Sequence, residues 1–140
     1  IGVDENGRAS MVVTEGNPNC HIVLRGGSNG PNFDSDSIAD ASQRLGRRDL
    51  QTQLVVDCSH ANCNKDFKLQ RVAFLNLLEQ RVAGNFNIVG MMLESNLLEG
   101  SQPLDESDPT NLKYGVSITD PCVGWDETVE LITTAYEMLA

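Results

Sequence analysis

His60, Glu94 and Asp120 are one imidazole and two carboxylates, and each stands where an apolar run gives way to polar sequence. Leu54-Val55-Val56 precedes His60, Ile88 to Leu93 precedes Glu94, and Ser117-Ile118-Thr119 precedes Asp120. This donor mix suits a divalent ion such as Mn²⁺, Fe²⁺, Co²⁺ or Zn²⁺. Taken singly, a hydrogen-bonded histidine and two solvated acids account for these residues better. All three at the ends of successive strands, on one face, argue for a shared site. Arg25 closes a further apolar run and is followed by Gly26-Gly27. A guanidinium there is a bidentate clamp for phosphate or carboxylate, and the glycines let the backbone approach a ligand closely. An ion pair with one of the many acids explains Arg25 equally well.

Other reactive residue types read as structural. Cys58-Ser59-His60-Ala61-Asn62-Cys63 suggests a Cys/His cluster, but nothing elsewhere supplies the paired Cys-x-x-Cys of a structural zinc site. Cys20, Cys58, Cys63 and Cys122 are therefore expected as small buried residues. A Cys–His nucleophile lacks an identifiable orienting group. Met91-Met92 is expected to fill core space, Trp125 to pack against the last helix, and His21 to be structural.

The elements that must position these groups follow from periodicity. Ile1-Gly2-Val3 and Ala9-Ser10-Met11-Val12-Val13 flank Asp4-Glu5-Asn6-Gly7-Arg8, and Asn-Gly between such runs predicts a hairpin with a type I′ turn. Cys20 to Leu24, Leu54 to Val56 and Ile88 to Leu93 read as buried strands. A helix from Asp34 or Ser35 should bury Ile38, Ala41 and Leu45. A second, from Lys65 to Val82, should bury Phe67, Val72, Phe74, Leu75, Leu78 and Val82, with Gly84-Asn85 as its stop. A third, from near Asp126, should bury Val129, Ile132, Tyr136 and Leu139. Arg25, His60 and Glu94 recur 35 and 34 residues apart, always at the strand's C-terminal end. Near-equal βα units with chemistry at one end are the pattern of a (β/α)₈ barrel. A doubly wound sheet is the alternative, but no Gly-x-Gly-x-x-Gly turn follows a first strand. Since a whole barrel takes about 250 residues, three units and a hairpin read as part of a longer protein.

Composition narrows the partners. The 140 residues carry a formal charge of −10 and 40% hydrophobic residues, enough for a core and too acidic for nucleic acid or anionic lipid. No apolar run approaches the roughly 20 residues that span a bilayer, and Ile1-Gly2-Val3-Asp4-Glu5 lacks the basic start of a signal peptide. Four sparse cysteines fit a reducing compartment, and the expected location is cytoplasmic.

Four segments carry a resemblance. Cys20-His21-Ile22-Val23-Leu24-Arg25-Gly26-Gly27 with Pro31-Asn32-Phe33 is one, and Val56-Asp57-Cys58-Ser59-His60-Ala61-Asn62 is another. Met92 to Gln102 is the third and Tyr114 to Trp125 the fourth. In order and spacing they resemble the class I 3-deoxy-D-arabino-heptulosonate 7-phosphate (DAHP) synthases. The resemblance implies the C-terminal portion of a TIM (β/α)₈ barrel: residues 1–14 as a hairpin extension, regulatory in the family, and 20–140 as the last three βα units. It implies condensation of phosphoenolpyruvate with erythrose 4-phosphate, giving DAHP and phosphate at the start of the shikimate pathway. Arg25 would bind the phosphoenolpyruvate phosphate. His60, Glu94 and Asp120 would be three of four metal ligands, with His60 and Asp120 catalytic and Asp120 also against the aldose phosphate. Gly2 lies where a small residue resembles the tyrosine-sensitive forms, and a homo-oligomer is implied for the full-length protein. The family's fourth ligand, a cysteine on the first barrel strand, has no counterpart among these four cysteines. Further lysines and arginines of the phosphate sites belong to earlier strands, so little or no turnover is expected of these 140 residues alone. Ser28, Phe33, Pro121 and Asp4-Glu5 depart from the family pattern without removing a ligand. The other readings are a non-catalytic regulatory or assembly half barrel and, among enzymes, 3-deoxy-octulosonate 8-phosphate synthase, which the four segments fit less well.

Overall fold

The structure, a computed structural model, describes residues 1–11 and 13–140; Val12, expected in the second hairpin strand, lies outside the described residues. Strands β1 (Gly2–Val3) and β2 (Ala9–Ser10) pair antiparallel with Gly2 opposite Ser10. The turn between them is not type I′. Gly7 N–H closes on Asp4 C=O at 2.9 Å, and of the turn residues only Gly7 has positive φ, +77°. Asp4 Oδ1 instead accepts the backbone N–H groups of Asn6 and Arg8, both at 2.9 Å. The aspartate side chain thus supplies the closure that a left-handed Asn6 would have given.

The principal sheet is parallel, ordered β3 (Ile22–Leu24), β4 (Leu54–Asp57), β5 (Ile88–Met92). Central β4 buries Leu54, Val56 and Asp57. Its register with β5 slips between Leu54 and Val55, so that Leu54 faces Ile88 while Val55 faces Gly90. Each strand is followed by a helix: α1 (Ser35–Gly46), α2 (Gln70–Val82) and α3 (Trp125–Leu139). Ile38 of α1, Leu54 and Val56 of β4, Phe74, Leu77 and Leu78 of α2, Ile88 of β5 and Leu131 of α3 form one core. Among the described residues no helix is long and apolar enough to cross a membrane.

The helices exist where periodicity placed them, but two present other faces. α2 begins at Gln70 rather than Lys65, because Asn64 and Lys65 sit at φ +51° and +63° and a short 3₁₀ turn, Phe67–Leu69, intervenes. Its buried stripe is Gln70, Ala73, Phe74, Leu77 and Leu78, while Val72 and Val82, expected inside, are exposed. α3 buries Thr128 and Leu131. Val129, Ile132, Tyr136 and Leu139, expected inside, are exposed. The start of α3 decides this: Thr128 Oγ1 contacts Ser95 Oγ at 2.6 Å and the Gly124 carbonyl at 2.9 Å, which turns the 128–131–135 stripe towards the sheet. Trp125 is the first residue of α3 and 54% exposed, so it does not pack under the helix. Met91 reaches the core, but Met92 is exposed.

Candidate metal centre

The sheet's C-terminal edge gathers the three predicted donors. His60 Nε2 lies 3.5 Å from Glu94 Oε1 and 3.6 Å from Asp120 Oδ2, and one donor atom from each residue falls within 4.8 Å of the others. A cavity of about 190 Å³ opens on them, lined also by Ser59, Cys63, Lys65 and Pro121. The spacings are too long for good hydrogen bonds. They suit oxygen and nitrogen donors sharing one ion about 2.0–2.2 Å from each. The donor set therefore fits a divalent cation.

Each donor is held by its own local device. Asp57 ends β4, and its Oδ2 lies 2.9 Å from His60 Nδ1. Asp57 Oδ1 accepts from the Ser59 amide at 2.8 Å and the Ser59 hydroxyl at 2.7 Å. His60 itself has φ +54°, an uncommon conformation for a side-chain-bearing residue and one that clusters at functional sites. Glu94 is fixed through its backbone by Gln70, whose fully buried amide accepts from Glu94 N–H at 2.8 Å and donates to Glu94 C=O at 3.2 Å. The Val123 amide donates to the same carbonyl at 2.9 Å, which couples the Glu94 segment to the loop carrying Asp120. Asp120 is the most open donor, its side chain 64% exposed.

Arg25 stands exposed at the end of β3 and is not among the residues lining this cavity. The turn behind it is nonetheless tied to the His60 turn. Gly26 N–H donates to Asn32 Oδ1 and Asn32 N–H to Asn62 Oδ1, each at 2.7 Å. Asn62 Nδ2 donates in turn to the carbonyls of Leu24 and Asp57. Gly2 lies in the hairpin, on a separate two-stranded sheet.

Cys58, Cys63 and Cys122 are buried as expected, but Cys20 is exposed, because β3 begins only at Ile22 and leaves it in the preceding loop. Burial pushes the Cys58 thiol up to about 12, helped by the neighbouring Asp57 and Cys63. Burial also raises Cys63 and Cys122, so all three are protonated thiols rather than ready ligands. His21 is exposed beside Cys20 in a shallow cleft before β3.

Sequence reasoning assigned no role to Asp57, Ser59, Asn62, Lys65 or Gln70. For Asp57 and Ser59 the available signal was their position just ahead of His60. For Gln70 it was a polar residue on an otherwise apolar inward stripe.

A parallel α/β sheet, with an imidazole and two carboxylates converging where its strands end, defines an α/β protein with a site competent for a divalent cation. The chain belongs to the DAHP synthetase I family, which matches residues 3–133. It is 43% identical over 136 residues to the tyrosine-inhibited phospho-2-dehydro-3-deoxyheptonate aldolase of Candida albicans, a match covering 95% of this chain and 37% of that one. It is 40% identical over 132 residues to the Phe-sensitive enzyme of Escherichia coli, covering 94% and 37%. The solved structure of the Francisella tularensis aldolase superposes with a TM-score of 0.85 at 37% identity, over 97% of this chain and 39% of that one. The chain thus spans between 37% and 39% of the length of these relatives. The matches favour neither the regulatory half barrel nor the octulosonate synthase.

Proposed function

We propose that these 140 residues supply the metal-holding face of a DAHP synthase, which condenses phosphoenolpyruvate with erythrose 4-phosphate and releases phosphate. The observation that carries this reading is the convergence of His60 Nε2, Glu94 Oε1 and Asp120 Oδ2 in a chain of the DAHP synthetase I family. His60, Glu94 and Asp120 would hold Mn²⁺, Fe²⁺, Co²⁺ or Zn²⁺, whose bound form supplies Lewis acidity for an aldehyde oxygen. The reaction joins the enol carbon of phosphoenolpyruvate to the aldehyde carbon. Water adds to the cationic carbon that results, and phosphate leaves. Arg25 would meet the phosphoenolpyruvate phosphate, a reading supported by the Asn32–Asn62 link, which ties the turn after Arg25 to the His60 turn. Asp120, on the cavity's open side, has room to contact the aldose phosphate as well as a cation.

The three consecutive βα units support assignment of residues 20–140 to the C-terminal part of a (β/α)₈ barrel, with the hairpin of residues 1–14 as its regulatory extension. Gly2, on the hairpin's β1, stands where a small residue resembles the tyrosine-sensitive forms, and on that resemblance we assign tyrosine as the effector. The full-length protein is taken as a homo-oligomer.

The test uses the intact protein that contains these residues. DAHP formation should stop on treatment with a chelator and return with Mn²⁺ or Co²⁺. Glu94→Gln should lower kcat by at least about 100-fold, given what electrostatic groups supply at such sites. Turnover that survives chelation and Glu94→Gln would refute the assignment. Inhibition by phenylalanine but not by tyrosine would refute the effector assignment alone.

A further inference from the structure

The geometry points to Asp57 as a positioning residue: its carboxylate holds the His60 imidazole with the proton on Nδ1, leaving the Nε2 lone pair facing Glu94 and Asp120. This deepens the metal-site reading above and rests on it. Asp57 is 4% exposed, and its backbone is locked in β4 opposite Met92 of β5, so the carboxylate is a fixed object.

Hydrogen-bond accounting at Nδ1 decides the tautomer. Two groups face that atom, Asp57 Oδ2 at 2.9 Å and Ser59 Oγ at 2.5 Å. An ionised carboxylate only accepts. A hydroxyl has one proton, and the carboxylate oxygens in reach of Ser59 Oγ, Asp57 Oδ1 at 2.7 Å and Glu94 Oε1 at 3.5 Å, can only accept it, so the hydroxyl turns lone pairs towards the ring. Both neighbours of Nδ1 are therefore acceptors, and Nδ1 must carry the hydrogen. Placing the proton on Nε2 instead would set the Nδ1 lone pair against a buried carboxylate without a proton between them. In the neutral ring, a hydrogen on Nδ1 leaves Nε2 as the free electron pair, 3.5 Å from Glu94 Oε1 and 3.6 Å from Asp120 Oδ2. Three lone-pair donors face one another across a gap that a cation would fill. A carboxylate behind a ligating imidazole is a recurrent means of setting ring orientation and raising ligand basicity. Ser59 completes the arrangement by occupying the second Asp57 oxygen, so that Oδ2 stays aimed at the ring.

The experiment reads the tautomer directly, by ¹⁵N NMR of histidine side chains in the intact, chelator-stripped protein at pH 8. The His60 signals are identified by their loss in His60→Gln. The expected wild-type result is a protonated Nδ1 and a bare Nε2. In Asp57→Asn the amide NH₂ can donate to Nδ1, so the proton should move to Nε2. Zn²⁺ affinity, measured by competition with a chromophoric chelator, should fall 10–100-fold. Ser59→Ala, which keeps the carboxylate, should preserve the Nδ1–H tautomer. A wild-type ring protonated on Nε2, or on both nitrogens, overturns the proposal whether or not Asp57→Asn folds. Zn²⁺ affinity lost in His60→Gln but unchanged in Asp57→Asn overturns it too. Affinity unchanged in both variants overturns instead the metal-site reading beneath it.

Discussion

A methyl group at Gly26 would lie 2.6 Å from Ala61 Cβ and within 2.9 Å of the Ala61 and Asn62 backbone, and the residue sits at φ +74°. The turn after β3 therefore nests against the His60 turn with no room for a side chain. Gly26→Ala combines a left-handed penalty of about 1–2 kcal/mol with steric overlap worth about 1–3 kcal/mol. It should destabilise the protein by about 2–5 kcal/mol, read as a lower urea midpoint. Gly27→Ala meets nothing within 4 Å and should change stability by less than about 0.5 kcal/mol. Equal effects at the two positions would contradict the nesting. The sequence suggested that the Gly-Gly pair lets the backbone approach a ligand, whereas Gly26 is needed to pack against the chain's own Ala61–Asn62 backbone. That contact depends on Ala61, 35 positions along the chain.

Among the elements, α1 shows how far a local signal can carry. Asp34 was one of two candidate starts, and the structure makes it the N-cap: its Oδ1 accepts from Ser37 N–H at 2.9 Å and its Oδ2 from the Ser37 hydroxyl at 2.7 Å. Those two bonds hold its carboxyl below the usual value of 3.8. A lowered folded value means that the cap's contribution is complete above the unfolded value and is lost as pH falls through the folded one. Asp34→Ala should cost about 1 kcal/mol at pH 7. The gap from wild type should narrow below about pH 3.8, as followed by urea unfolding at several pH values; a gap independent of pH would exclude the ionised cap. α3 shows the opposite case. Its sequence offers apolar residues on more than one side, and periodicity alone selected the wrong face. The Ser95–Thr128 contact and the ion pair from Arg71 of α2 to Glu130 orient it, and both partners are remote in sequence.

At the scale of the whole molecule, the apolar surface is not all used. Among the described residues β3 and β5 pair only with β4, leaving Ile22, Val23 and Val89 exposed on edge strands. Val129, Ile132, Tyr136 and Leu139 form an uncovered stripe on α3. Open edges and contiguous apolar patches of this kind favour association. Prepared by themselves, these 140 residues should associate increasingly with concentration in sedimentation velocity. Ile132→Lys combined with Tyr136→Lys should reduce that association. A chain that stays monomeric across the accessible range, with or without the lysines, would show that these surfaces are inert.

The order of strands and helices, and the placement of His60 and Glu94 just past the ends of β4 and β5, could be read from the sequence alone. Both are written in short-range patterns: runs of apolar residues, helical spacing, and the polar residue that closes each run. Asp120, expected to close a strand, instead lies in a loop between β5 and α3. Tertiary structure alone decided which faces of α2 and α3 turn inward, that Cys20 stays outside while Gln70 is buried, and that Asp57 and Ser59 stand behind the imidazole. Such choices follow from which distant surfaces meet and which buried polar groups must find partners there. No window of neighbouring residues encodes that information.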